Sequence, residues 1–91
     1  MSSIWNDSDR NQQEVEPFSP ADWRTGGRLT KRLSQRELEV VHYAIQGLTG
    51  EKIAKEMLIS YETVKDHKAH AIRKLEARNY LHAVAMILQE R

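Results

Sequence analysis

The stretch from Thr49 to Leu75, TGEKIAKEMLISYETVKDHKAHAIRKL, constrains this chain more than any other part of it. It holds two helical patterns with a very short break between them. The first runs from Glu51 to about Met57, where Ile53, Ala54 and Met57 (i, i+1 and i+4) make one narrow apolar face. Leu58 and Ile59 interrupt the period. Ser60 then offers a hydroxyl to the unpaired N–H groups of a new first turn. The second pattern runs from Tyr61 to about Arg78. At roughly 100° per residue it puts Val64, Ala71, Ile72 and Leu75 on one side, and Glu62, Lys65, Asp66, Ala69, His70 and Arg73 on the other. Small Ala54 falls where the two helices cross, and about three residues join them. This is the helix-turn-helix pattern, whose second helix enters the major groove of DNA.

The flanking sequence supplies two more helices. Ser34 and Glu37 spell a capping box ahead of a helix over about Gln35 to Gln46, and Gly47 is the expected left-handed residue after it. Leu38 and Val41, with Ala44, Ile45 and Leu48, supply its core stripe. Glu37 is a lone carboxylate at a helix start, so it reads as a cap and not as a catalytic group. Thr49 caps the helix that follows, with Gly50 as a weak first residue. Asn79 fits the cap of a last helix over about Tyr80 to Gln89. That helix carries Leu81, Val84, Ala85, Ile87 and Leu88, more apolar side chains than can all face one small core.

Residues 1–30 read differently. They are polar and hold both prolines, with five acids against three bases, whereas residues 31–91 hold eleven bases against eight acids. The expectation is one all-α domain over 31–91, mildly basic, behind a largely flexible tail or linker over 1–30. Within the tail, Ser19-Pro20 can start a single helical turn, and Gly26-Gly27 marks a hinge before the basic run Arg28 to Arg32. Trp5, Phe18 and Trp23 are unusual in a solvated tail. One or two of them docking on the domain accounts for this, as does a contact surface for a sensor domain or a partner protein.

The exclusions are short. Without cysteine there is no disulfide and no thiolate metal site. No apolar run approaches the ~20 residues that span a bilayer, so the expected setting is cytoplasmic. His67 and His70, at i and i+3, could share a helix face, but the sequence shows no third ligand. No metal site or cofactor is expected. No glycine-rich phosphate loop, cysteine nucleophile or carboxylate pair is present, so no enzyme is expected either.

Reading the second helix as a groove reader assigns roles by its wheel. Lys65, Asp66 and Ala69 face the base edges: Lys65 suits guanine O6/N7, and Asp66 can accept from a cytosine amine. Arg73 and Lys74 toward the helix end, Tyr61 and Thr63 at its start, and Lys68 and His70 at its flanks are expected on the DNA backbone. Lys52 and Lys55 of the preceding helix join them.

Taken in order, Leu33-Ser34-Gln35-Arg36-Glu37-Leu38-Glu39-Val40-Val41, Ala44, Gly47, Ile53-Ala54, Ile59-Ser60, Thr63-Val64-Lys65, His67, Arg73-Lys74-Leu75, Asn79 and Ala83-Val84 resemble the LuxR-type (GerE-type) DNA-binding domain. The likeness covers Leu33 to about Glu90 without a gap. It implies a four-helix domain and a regulator that binds double-stranded DNA as a homodimer. The last helix would make the dimer contact through Leu81, Val84, Ala85 and Leu88. Three residues depart from the family pattern: Gly50, Lys68 (where an apolar residue is usual) and Tyr80 (where an arginine is usual). Family members usually carry a sensor domain ahead of this one, and residues 1–30 are too short to be one. A protein-interaction module that sequesters a full-length regulator by heterodimerisation is the alternative reading.

Overall fold

The computed structural model describes residues 14–24 and 27–90. The described residues are helical, with no strand among them. They form α1 (Pro20–Arg24), a 3-10 turn (Thr30–Arg32), α2 (Gln35–Ile45), α3 (Gly50–Met57), α4 (Tyr61–Leu75) and α5 (Tyr80–Glu90). Trp5 and Gly26 lie outside the described residues.

Each of the four long helices starts where a side chain takes an orphan amide. Ser34 Oγ accepts from Glu37 N (3.2 Å) while Glu37 Oε1 accepts from Ser34 N (2.9 Å), which completes the capping box. Thr49 Oγ1 accepts from Lys52 N at 3.2 Å, and Ser60 Oγ from Thr63 N at 3.1 Å. Asn79 Oδ1 accepts from His82 N at 2.8 Å. Gly47, at φ +90°, turns the chain out of α2 into the Thr49 cap, a backbone region where a Cβ is strained.

The α4 helix ends sooner than its periodicity suggests. It stops at Leu75 and not near Arg78, because Glu76 adopts a left-handed conformation (φ 55°). Ala77 N then donates back to Ile72 O at 3.0 Å and closes the turn. Arg78 therefore lies in the loop, where its amide donates to His82 Nδ1 at 3.0 Å.

The core has two adjoining parts. Around the helix-turn-helix, Ile53, Ala54 and Met57 of α3 and Val64 of α4 close on Val40, Tyr43 and Leu48. On the other side of α4, Ala71 and Leu75 meet Val41, Leu33, Ala83, Ile87 and Trp23. The α2 stripe thus differs from expectation. Val40 and Tyr43 are buried while Leu38, Ala44 and Ile45 are half-buried, because α2 is covered on two sides, by α3 with α4 and by α5 with the N-terminal segment.

Described parts of the N-terminal segment are folded onto the domain. Trp23 is only 5% exposed and sits in the core, and Phe18 packs beside it. Glu16 N donates to Gln46 Oε1 at 2.8 Å, and Gln46 Nε2 donates to Glu16 O at 3.1 Å. Phe18 N donates to the Tyr43 hydroxyl at 3.3 Å. Leu29 N donates to Glu90 Oε1 at 2.8 Å, so the segment also ties down the end of α5. Docking of two aromatics, one of the two readings of this segment, accounts for Phe18 and Trp23. Trp23 thus shares a buried cluster with Leu33 and Val41. Among the described residues no helix is long and apolar enough to cross a membrane.

Candidate nucleic-acid interface

The α4 helix is sealed on one side and open on the other. Val64, Ala71 and Leu75 are buried, while Lys65, Asp66, Ala69 and Arg73 are exposed on the opposite face. The fold thus brings the three expected base-reading residues together on one accessible surface. Lys65 Nζ lies 3.8 Å from Glu62 Oε1 and 5.6 Å from the Tyr61 ring centroid, contacts at the surface that leave the ammonium in solvent. Asp66 and Arg73 form no ion pair among the described residues.

Residues expected on the DNA backbone divide into two groups. Lys52 and Lys55 of α3, and Tyr61 and Arg73 of α4, are exposed. The rest have partners within the protein, although His70 and Lys74 are exposed as well. Thr63 Oγ1 lies 2.9 Å from Ser60 Oγ at the start of α4. Lys68 Nζ stands 5.0 Å from the centroid of the Tyr80 ring, a cation–π distance. Lys74 Nζ donates to Glu37 Oε1 at 2.8 Å, and His70 Nδ1 lies 3.7 Å from Glu37 Oε2.

These contacts explain the three departures from the family pattern as one local arrangement. Lys68 and Tyr80 pack on each other. A Cβ on Gly50 would lie 2.6 Å from Tyr61 Cε1 and 3.6 Å from Lys68 Nζ, so glycine lets the start of α3 approach α4 closely. Burial pushes the Tyr80 hydroxyl well above its ordinary range, and that hydroxyl has no hydrogen-bond partner among the described residues.

Glu37 has a second role that a cap assignment alone does not reveal. It is 4% exposed, and its carboxylate joins the start of α2 to the last turns of α4. Burial raises its pKa, but the Lys74 ammonium and the Ser34 amide outweigh that and hold it below the ordinary glutamate value. Only the 37-residue separation hid this tie; its local signal had already been read as a cap. Likewise, the sequence shows no third group beside His67 and His70, but the fold brings the Glu37 carboxylate next to them. Ligand atoms of Glu37, His67 and His70 all lie within 4.8 Å of one another. On α5, Leu81 is 79% and Leu88 46% exposed, with Val84 and Ala85 half-buried between them, while Ala83 and Ile87 turn to the core.

A model of the family described as bacterial regulatory proteins, luxR family, matches residues 31–87. Among curated proteins, the nitrate/nitrite response regulator NarP of Escherichia coli K12 is 42% identical over 59 residues, covering 65% of this chain and 27% of that protein. The transcriptional activator BjaR1 of Bradyrhizobium diazoefficiens is 40% identical over 60 residues, covering 66% of this chain and 25% of that protein. NarL of Escherichia coli K12 is 31% identical over 83 residues, 87% of this chain and 38% of that protein. The chain thus spans about a quarter to two fifths of these relatives. No solved structure matches it. The chain belongs to the luxR family of bacterial regulatory proteins and carries that family's helix-turn-helix domain, a DNA-binding unit of transcription regulation.

Proposed function

We propose that the chain binds specific DNA sites with α4 in the major groove. Lys65, Asp66 and Ala69 then meet the base edges, and Lys52, Lys55, Tyr61, Thr63, Lys68, His70, Arg73 and Lys74 flank the phosphates. The observation that carries this reading is the two-sidedness of α4: one face is locked into the core by Val64, Ala71 and Leu75, and the other presents Lys65, Asp66, Ala69 and Arg73 to solvent. A helix so anchored can be held against DNA without unfolding anything. Lys74 keeps donors for a phosphate, since its ammonium has three and Glu37 takes one. Positive charge at the rim sets register, and the few donors on the reading face set sequence preference.

A salt titration of binding to random duplex DNA tests this directly. Affinity should fall steeply with salt, and Arg73→Ala should flatten the slope by about 1, for its lost phosphate contact. Lys65→Ala, at a base-reading position, should cost about 1–3 kcal/mol on the preferred site and relax preference at one position. Absence of binding even at low salt would defeat the reading and turn attention to capture of another regulator.

Dimerisation through α5 is the second part of the proposal. It rests on Leu81 and Leu88, which stand in solvent one helix face away from the buried Ala83 and Ile87. Two copies would then address half-sites about one helical turn of DNA apart. Leu88→Asp is expected to shift sedimentation toward monomer and to remove the concentration dependence of the melting temperature; an unchanged profile would remove α5 from the contact. Residues 1–30 would offer a contact surface for a sensor domain or partner protein that supplies the signal.

A further inference from the structure

The flank of α4, not its groove face, holds an arrangement that DNA binding leaves unexplained. His67 and His70 stand on one side of the helix, over the buried carboxylate of Glu37. We propose that these three side chains bind a borderline divalent cation of the zinc class. Metal binding alone, without DNA, is the property at issue.

The geometry of Glu37 makes room for it. Oε1 takes both the Ser34 amide (2.9 Å) and the Lys74 ammonium (2.8 Å). Oε2 takes neither and faces His70 Nδ1 at 3.7 Å. A cation on Oε2 therefore leaves the capping box and the Lys74 tie in place. In a tetrahedral zinc site with bonds near 2.1 Å, ligand atoms stand about 3.4 Å apart. The present spacing of up to 4.8 Å closes by small rotations of the two imidazoles, which are exposed or half-exposed, about a carboxylate that packing holds still.

The donor set chooses the metal. Two neutral imidazoles and one carboxylate suit zinc, nickel or copper and are poor for magnesium or calcium, which take oxygen ligands. Three protein ligands leave a fourth position for water. The Lys74 ammonium, on the other oxygen of the same carboxylate, opposes the cation, so affinity falls below that of a closed four-ligand structural site. Binding would add a second tie between α4 and the start of α2, beside the Glu37–Lys74 pair.

The test uses the untagged full chain with Zn2+ in calorimetry and Co2+ in absorption spectroscopy. One cation per chain is expected, with Co2+ bands of low-symmetry coordination and a zinc-dependent rise in melting temperature that a chelator reverses. His67→Gln and His70→Gln should each weaken binding by more than the roughly tenfold that loss of an outer-shell partner brings. His82→Gln, at an exposed histidine elsewhere, should leave it unchanged. Both flank variants alter exposed or half-exposed side chains, and their far-ultraviolet spectra check that they fold. Lack of stoichiometric binding, or binding that survives both variants, overturns the proposal.

Discussion

Trp23→Ala is expected to lower the free energy of unfolding by about 3–5 kcal/mol, a large part of what holds so small a domain together. The indole is 5% exposed among Leu33, Val41, Ala71, Leu75, Ala83 and Ile87, so its loss opens a cavity between α2, α4 and α5. Urea denaturation followed by circular dichroism measures the effect. A change below about 1 kcal/mol would mean that the segment around α1 does not dock in solution. The prediction bears on function, because Ala71 and Leu75 are the buried side of the reading helix. A cavity there loosens the face on which Lys65 and Arg73 must be presented.

Glu37→Ala comes next, at about 2–3 kcal/mol, the sum of a lost cap and a charge-assisted hydrogen bond. The Lys74 left behind is partly exposed and can hydrate, which keeps the loss below that of a fully buried pair. The same group predicts a pH dependence of known sign. Its folded pKa is lowered, so its stabilisation is present above the ordinary glutamate value of about 4.3 and is lost as pH falls through the lowered folded value. Stability of the wild type should therefore fall more steeply than that of Glu37→Gln as pH drops below about 5. Parallel curves for the two proteins would show that the tie to Lys74 contributes nothing.

What could be read from the sequence alone follows from the reach of the interactions. The caps at Ser34, Thr49, Ser60 and Asn79 are hydrogen bonds across three residues, so their donors and acceptors stand in one short word of sequence. The two faces of α4 follow from a period of 3.6 residues, again a local property. That was enough for the all-α architecture, the helix-turn-helix and the exposed set Lys65, Asp66 and Ala69.

What tertiary structure decided lies beyond that reach. The end of α4 at Leu75 rests on a left-handed Glu76, a conformation that non-glycine residues adopt uncommonly and that is taken here where the chain must turn to dock α5. Burial of Val40 and Tyr43 in place of Leu38 depends on which helices cover α2. Trp23 became core because a pocket between three helices awaited it, and nothing in its own polar surroundings could announce that pocket. Glu37 met Lys74, His67 and His70 across 30 or more residues, and Lys68 met Tyr80 across a turn whose shape periodicity does not specify. A helix knows its own faces from its sequence, but which face meets which is set only when several helices pack, since burial is a property of pairs of surfaces and not of either one.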